Sequence, residues 1–376
     1  MFPKFKVHYW NISGYIKIDL RTKIFILDKI LENSSINMFS KKLSISGVGL
    51  THFLKNEDSF IRINNLLEII SKLRISKLDI EKNIVAYKDT SNKRAFSIKF
   101  PYFLSPLDVR IVGVLIGDGN INKTTGLMRW VQKDPTPLKK LIEFRLGENI
   151  DFCVKDTQIV IPSFFGKVVS YSLDLELNFL ASELFIKRIM EFPKDYGLAL
   201  LITLIEDEGN IDPKNYGGIL IRMSSKEIIL SIKKLCDHLD YETSQIVSYK
   251  NNGTFRNKNE EKLMYKINIL SNGIRNLGDD LLRLKKKYGK EIGFWKKDNN
   301  FTKRWKLCKS KNAEKDREGR EIHGKISQLF IKYKKLSPLK ISKFLQIDYD
   351  RIYSLIKNMK KRGEIKRIRK GIYFKN

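Results

Sequence analysis

The chain has 376 residues and carries 72 Lys and Arg against 42 Asp and Glu, a net charge of +30. At roughly 100–200 residues per domain this length predicts two or three folded units, and a hydrophobic share of 42% excludes wholesale disorder. The positive excess points to a polyanionic partner, with nucleic acid the default. Three scattered cysteines, Cys153, Cys236 and Cys308, make no CxxC pair; that excludes a disulfide framework and a zinc signature and predicts a reducing, cytoplasmic setting. No apolar run reaches the ~18 residues a membrane span needs, Tyr196 to Ile205 being the longest, and MFPKFKVHYW lacks the apolar stretch of a secretory signal. A soluble protein with no membrane partner is expected.

Residues 1–104 form the first expected unit. Short helical patterns separated by tight breaks run from Ile24 to Leu31, Met38 to Leu43, Gly49 to Leu54 and Ile63 to Leu73. Within them FSKKLSIS, GLTHFLKNEDSF and INNLLEIISKLRIS resemble the phage-repressor type of helix-turn-helix domain, which implies a recognition helix beginning near Gly49. The plainer alternative is a small helical bundle with a basic surface.

The middle region, 105–290, contains itself twice. IVGVLIGDGNI (Ile111 to Ile121) answers LITLIEDEGNI (Leu201 to Ile211), and LMRWVQKD (Leu127 to Asp134) answers LIRMSSKE (Leu220 to Glu227). Asp118 and Glu208 lie 90 positions apart, Lys133 and Lys226 lie 93 apart, so order is kept over two elements. A core-filling helix that ends in a carboxylate is electrostatically odd, because its C-terminal end already repels anions. Two such ends side by side demand cations. Gly113 and Gly117 stand four apart, as do Ala199 and Thr203, so small-residue faces could pair the two runs and bring Asp118 beside Glu208. The alternative is an acid simply solvated before a C-cap glycine.

On these residues the chain resembles the LAGLIDADG homing-endonuclease family in its two-motif, single-chain form, over about half its length. The resemblance implies an α+β fold: a duplicated αββαββα core with two antiparallel saddle sheets and a pseudo-twofold axis, acting as a monomer. It places metal-binding acids at Asp118 and Glu208, with Mg²⁺ as cofactor, and a polar residue beside the metal water at Gln132, matched by Ser225. Strand alternation groups Arg129, Val131 and Lys133 on one face and Arg222, Ser224 and Lys226 on another, and Arg129, Lys133, Arg222 and Lys226 are the expected DNA contacts. A lysine usual after the later strand is missing, Ser271 or Asn272 standing there. Ile116 replaces the motif's other acid, and Asp207 stands where Gly or Ala is usual.

Residues 291–320 lose periodicity and read as a basic linker, with scattered Trp295, Phe301 and Trp305. Residues 321–376 then read helix, helix, helix, hairpin, which resembles a winged helix. Arg351 to Asn376 holds ten Lys or Arg and one acid, Glu364. A charge run is often only a solvated face, yet so one-sided a balance favours phosphate contact through Arg351, Lys357, Arg367, Arg369 and Lys370. The expected activity is site-specific, Mg²⁺-dependent hydrolysis of double-stranded DNA. The alternatives are a non-catalytic DNA-binding regulator on the same scaffold and an intron RNA maturase.

Overall fold

The computed structural model describes residues 4–43, 45–90, 95–122, 126–147, 154–155, 157–213, 218–252, 261–369 and 372–375. The chain is mixed α+β with several small antiparallel sheets, and it divides into two compact units, residues 1–302 and 303–376. No helix among the described residues is long and apolar enough to cross a membrane.

The first unit opens with β1 (Lys6–Val7), β2 (Tyr15–Ile18), α1 (Leu20–Leu31), α2 (Ile36–Lys42), α3 (Gly47–Lys55), β3 (Ile61–Arg62), α4 (Ile63–Lys72), α5 (Lys77–Glu81), β4 (Ile84–Lys88) and β5 (Tyr102–Phe103). Serine N-caps start α2 and α3: Ser35 accepts from Met38 N and Ser46 from Gly49 N, each satisfying one donor that a helix start leaves open. The buried Lys23 ties α1 to the turn after α3, its ammonium donating to the carbonyls of Asn56 (2.8 Å), Glu57 (3.0 Å) and Ser59 (3.0 Å).

Two runs of the same element order follow. The first is α6 (Pro106–Gly113), β6 (Gly119–Ile121), β7 (Met128–Val131), α7 (Thr136–Leu146), β8 (Val154–Lys155), β9 (Gln158–Ile161) and α8 (Ser163–Leu173); after α9 (Glu183–Ile189) the second is α10 (Lys194–Glu208), β10 (Gly209–Ile211), β11 (Ile219–Met223), α11 (Lys226–His238), β12 (Val247–Asn252), β13 (Glu261–Ile269) and α12 (Ser271–Tyr288). Each run builds a four-stranded antiparallel sheet of the same order, β6-β7-β9-β8 and β10-β11-β13-β12. Strand alternation buries Met128 and Trp130 of β7 and exposes Arg129 and Val131, while β11 buries Ile219, Ile221 and Met223 and exposes Arg222.

A capping box starts α6: Ser105 Oγ accepts from Leu107 N, and Ser105 N donates to Asp108 Oδ2 at 2.8 Å, the reciprocal arrangement that satisfies two helix-start donors. Asp108 is fully buried and also accepts from Arg145 Nε (2.7 Å) and Tyr102 OH (2.8 Å), so its charge is paired.

The structure departs from the sequence expectation at three places. The first apolar run is not one helix ending in its acid: α6 stops at Gly113, and Val114–Asp118 continue as turns with tighter bonds, Leu115 N to Val112 O and Ile116 N to Gly113 O. Two glycines four apart weaken the helix there. In α10, where Ala199 and Thr203 stand instead, the helix runs to Glu208. The lysines expected on strands lie beyond them: Lys133 follows the end of β7, and Lys226 opens α11.

The third departure is the expected linker at 291–320, which is largely helical: α13 (Asp298–Lys309) and α14 (Lys311–Tyr333) cover it. Phe301, Trp305 and Cys308 fall at i, i+4 and i+7, and Phe301 and Cys308 are buried, which is the helical stripe that the surrounding lysines hide. The second unit continues with β14 (Lys335–Leu336), α15 (Pro338–Leu345), α16 (Tyr349–Lys361), β15 (Ile365–Arg369) and β16 (Ile372–Lys375), the three strands forming one sheet. Its own core gathers Ile326, Phe330, Ile341, Ile352, Ile356 and Ile365.

Candidate acid cluster and nucleic-acid surface

The ends of α6 and α10 meet. A Cβ on Gly113 would stand 2.8 Å from Leu200 Cδ1 and 3.5 Å from Thr203 Cβ; on Gly117 it would stand 2.9 Å from Asp207 Cβ and 3.3 Å from Glu208 Oε1. The neighbours of Gly113 are thus Leu200 and Thr203, with Thr203 Oγ1 also reaching Arg110 O at 3.5 Å. Beyond each acid the chain folds back over its own preceding turn. A Cβ on Gly119 would stand 2.7 Å from Val114 O, and one on Gly209 2.5 Å from Ile205 O, a close approach only glycine permits.

This packing puts Asp118 and Glu208 within each other's field. Desolvation, then the charge of Asp118, raise the Glu208 carboxyl above its ordinary value, with Lys297 opposing. Asp118 is open to solvent on one side, yet desolvation of its carboxyl raises it too, against the Gln132 hydrogen bond and the charges of Lys296 and Lys297. Asp207 is held well above the carboxylate range by burial first and then by Asp118, Glu206 and Glu208, with Arg110 opposing; its Oδ2 has no hydrogen-bond partner among the described residues. The residue that looks out of place in the sequence is therefore a third acid at the helix contact.

Gln132 Nε2 donates to Asp118 Oδ2, and Lys296 Nζ donates to Gln132 Oε1 at 3.0 Å. The matching Ser225 is used differently: its Oγ accepts from Ile228 N as the N-cap of α11 and bonds Glu227 Oε2 at 3.1 Å. The two halves differ in what surrounds their acids.

Sequence reasoning misses the segment Gly293–Lys297. Its backbone N–H groups at Trp295 and Lys296 donate to the Glu206 carboxylate at 3.0 and 2.9 Å. Gly293 O accepts from Arg110 Nη2 at 2.6 Å, and the Arg110 guanidinium lies 4.1 Å from the centroid of the Trp295 ring. Lys297 Nζ donates to the carbonyls of Ile205 and Gly209 at 2.8 and 2.6 Å. Burial lowers Arg110 to about 10, against Glu206 and Asp207. The one signal available in the sequence is the demand of Glu206, Asp207 and Glu208 for cations; besides Arg110, the lysine that answers it, Lys297, lies some 90 residues on.

No group of three or more His, Cys, Asp and Glu among the described residues is arranged to hold a metal ion. Asp118 and Glu208 nevertheless suit Mg²⁺, which takes hard oxygen ligands and needs only one or two carboxylates besides water and phosphate. Two carboxyls that each resist ionisation are an environment a divalent cation relieves.

Exposed cations stand on the sheets. Arg129 lies between Asn120 of β6 and Val160 of β9, and Arg222 lies beside Lys266 of β13. Lys266, absent from the sequence expectation, has its ammonium 5.2 Å from the centroid of the Tyr249 ring. In the second unit Lys357 and Arg367 are exposed, while Arg351 Nη2 pairs with Glu318 Oε2. Arg369 ends β15, and Lys370 falls outside the described residues.

No protein-family model and no curated protein matches the chain. Among solved structures, it is similar to the full-length DUF199/WhiA protein from Thermatoga maritima, at 13% identity and a TM-score of 0.33, over 70% of this chain and 93% of that one. It is also similar to a variant of I-DmoI in complex with its target DNA, nicked in one strand, in the presence of manganese: 15% identity, TM-score 0.29, over 49% of this chain and 97% of that one.

Proposed function

We propose that the chain is a DNA-binding protein of LAGLIDADG-like design that hydrolyses phosphodiester bonds in double-stranded DNA, with Asp118 and Glu208 holding Mg²⁺. The observation that carries this reading is the meeting of the two repeats at Gly117, which sets Glu208 and Asp207 against the turn that bears Asp118. Bound there, Mg²⁺ supplies activated water and stabilises charge developing on the phosphate. Gln132 orients the Asp118 carboxylate through its amide, and Lys296 fixes Gln132 from the other end. Arg129, Arg222 and Lys266 project from the exposed sheet faces to take DNA phosphates, and the second unit adds Lys357 and Arg367. The net charge of +30 favours encounter with such a partner.

The experiment is incubation with plasmid or genomic DNA and Mg²⁺, read as discrete fragments. Asp118→Asn with Glu208→Gln abolishes cleavage and leaves DNA affinity within a few-fold, because removing carboxylates removes the cation and not the phosphate contacts. A double variant that cuts at the wild-type rate refutes the assignment.

One observation favours a second reading, a non-catalytic DNA-binding regulator on the same scaffold: the half-buried ammonium of Lys297 already serves the acid cluster. DNA binding without fragments under any divalent cation selects it.

A further inference from the structure

Asp118, Glu206, Asp207 and Glu208 gather where α10 ends, and all four attract the ammonium of Lys297. That ammonium is held in place. It donates to the backbone oxygens of Ile205 (2.8 Å), Glu206 (2.5 Å) and Gly209 (2.6 Å). Ile205 and Glu206 lie in the last turn of α10, at the negative end of its dipole; Ile205 O also accepts from Gly209 N, and Glu206 O is among the carbonyls a helix end leaves without an internal partner. One cation therefore sits at the focus of a helix C-terminus and four acids.

The backbone around Lys297 is built to keep it there. Glu206 clamps the N–H groups of the two preceding residues, Trp295 and Lys296, and Gly293 is anchored by the buried Arg110. Past it, Phe301 in the first turns of α13 packs on Phe294, ring centroids 4.8 Å apart. The lysine is thus presented by a strap fixed on both sides.

We propose that Lys297 is the resident counter-ion of the acid cluster, a positioning residue that holds the carboxylates together when no divalent cation is bound and competes electrostatically with one that is. The metal half of this inference rests on the proposed function; the counter-ion half does not. Its consequences differ in sign from those of a packing residue. Removing the charge leaves the acids repelling one another, so the fold weakens in chelator. The same removal deepens the negative potential at the site, so a divalent cation binds more tightly. A side chain that only packed the helix end would, once removed, loosen the site and weaken cation binding.

The test uses the full chain without DNA: wild type, Lys297→Met and Lys297→Arg, with Mn²⁺ as probe. Free Mn²⁺ is counted by electron paramagnetic resonance, and melting is followed in chelator and in Mn²⁺. Lys297→Met melts below wild type in chelator, binds Mn²⁺ about tenfold more tightly, and gains more melting temperature from Mn²⁺ than wild type does. Lys297→Arg, which keeps the charge, keeps the wild-type Mn²⁺ affinity. Unchanged or weaker Mn²⁺ binding by Lys297→Met overturns the inference, as does an arginine variant that binds like the methionine one. Should Lys297→Met be unfolded in chelator, refolding on addition of Mn²⁺ supports the inference and failure to refold overturns it. Absence of DNA cleavage by wild type would sink the nuclease reading while leaving these outcomes in force.

Discussion

Replacing Gly117 with alanine adds a methyl group where the two repeats touch. The new Cβ would stand 2.9 Å from Asp207 Cβ, 3.1 Å from its Oδ2 and 3.3 Å from Glu208 Oε1. Ordinary carbon contacts are 3.5–4.0 Å, and the nearest atom is the root of a side chain, which no rotamer change can move aside. The backbones must part. Gly113→Ala differs in two respects: its nearest obstacle is the tip of Leu200, 2.8 Å away, and as a helical residue it gains up to ~1 kcal/mol of helix propensity. Gly117 follows the end of α6 and gains none.

Overpacking costs about 1–3 kcal/mol, and each kcal/mol moves the melting temperature of a domain this large by roughly 2–4 °C. Gly117→Ala is therefore expected to melt roughly 2–12 °C below wild type, with Gly113→Ala closer to wild type and Gly113→Leu, which drives a branched chain at Leu200 and Thr203, well below it. Cleavage falls further than stability does, because displacing a carboxylate by ~1 Å costs on the order of 10²-fold in rate. Calorimetry of the three variants beside single-turnover cleavage provides the measurement. A Gly117→Ala protein that melts at or above the wild-type temperature would mean that the repeats do not meet there, and the pairing of Asp118 with Glu208 would lose its structural basis.

Three further outcomes are expected. DNA affinity falls steeply with ionic strength, a log–log slope of about −7 if ~8 phosphates are neutralised, and a flat titration by fluorescence anisotropy contradicts it. Deleting residues 311–376, which removes α14 whole rather than cutting it at Arg320, shortens the nuclease-protection footprint and leaves the melting of the first unit cooperative; loss of that cooperativity would show that the first unit depends on the second. Asp118 and Glu208 have raised carboxyls, so in chelator they contribute stability that is full below their unfolded values and is lost as pH rises through their folded ones. Divalent cation must displace those protons at low pH, so the Mg²⁺-induced gain in melting temperature is larger near pH ~8 than near pH ~5; equal gains by scanning fluorimetry contradict the sign.

The repeats are legible in the sequence because what encodes them is local. Each run ends in Gly-Asn-Ile, where the glycine lets the chain cross its own last turn, and each is followed by a strand whose buried and exposed positions alternate. What is not legible depends on contacts made elsewhere. The early end of α6 follows from two glycines that a periodicity count scores only as small residues. Lys133 and Lys226 continue an alternation on paper, but Asp134 and Pro135 lead into α7 and Ser225 caps α11, so the strands end before them. The helix over 298–309 is hidden because Phe301, Trp305 and Cys308 are the apolar minority in a lysine-rich stretch.

The strap over 293–297 carries the largest consequence of this kind. A duplicated sequence implies a duplicated site, and the lysine missing after β13 reads as a loss. The structure supplies cations to Asp118 and Glu208 from one segment outside both repeats, and one segment cannot serve two halves alike. Lys296 reaches Gln132 and through it Asp118, whereas Lys297 caps the helix that carries Glu208. Gln132 has no counterpart in the second half, where Ser225 is committed to a helix start. The twofold relation that holds for the strand order therefore fails at the carboxylates: Asp118 has an amide and an exposed lysine beside it, and Glu208 has a half-buried ammonium fixed by backbone carbonyls. If the two acids serve opposite strands of DNA, their removal should be unequal, with Asp118→Asn and Glu208→Gln slowing different strands to different extents on a duplex labelled at both ends. Identical effects of the two single variants on both strands would show that the acids act as one centre.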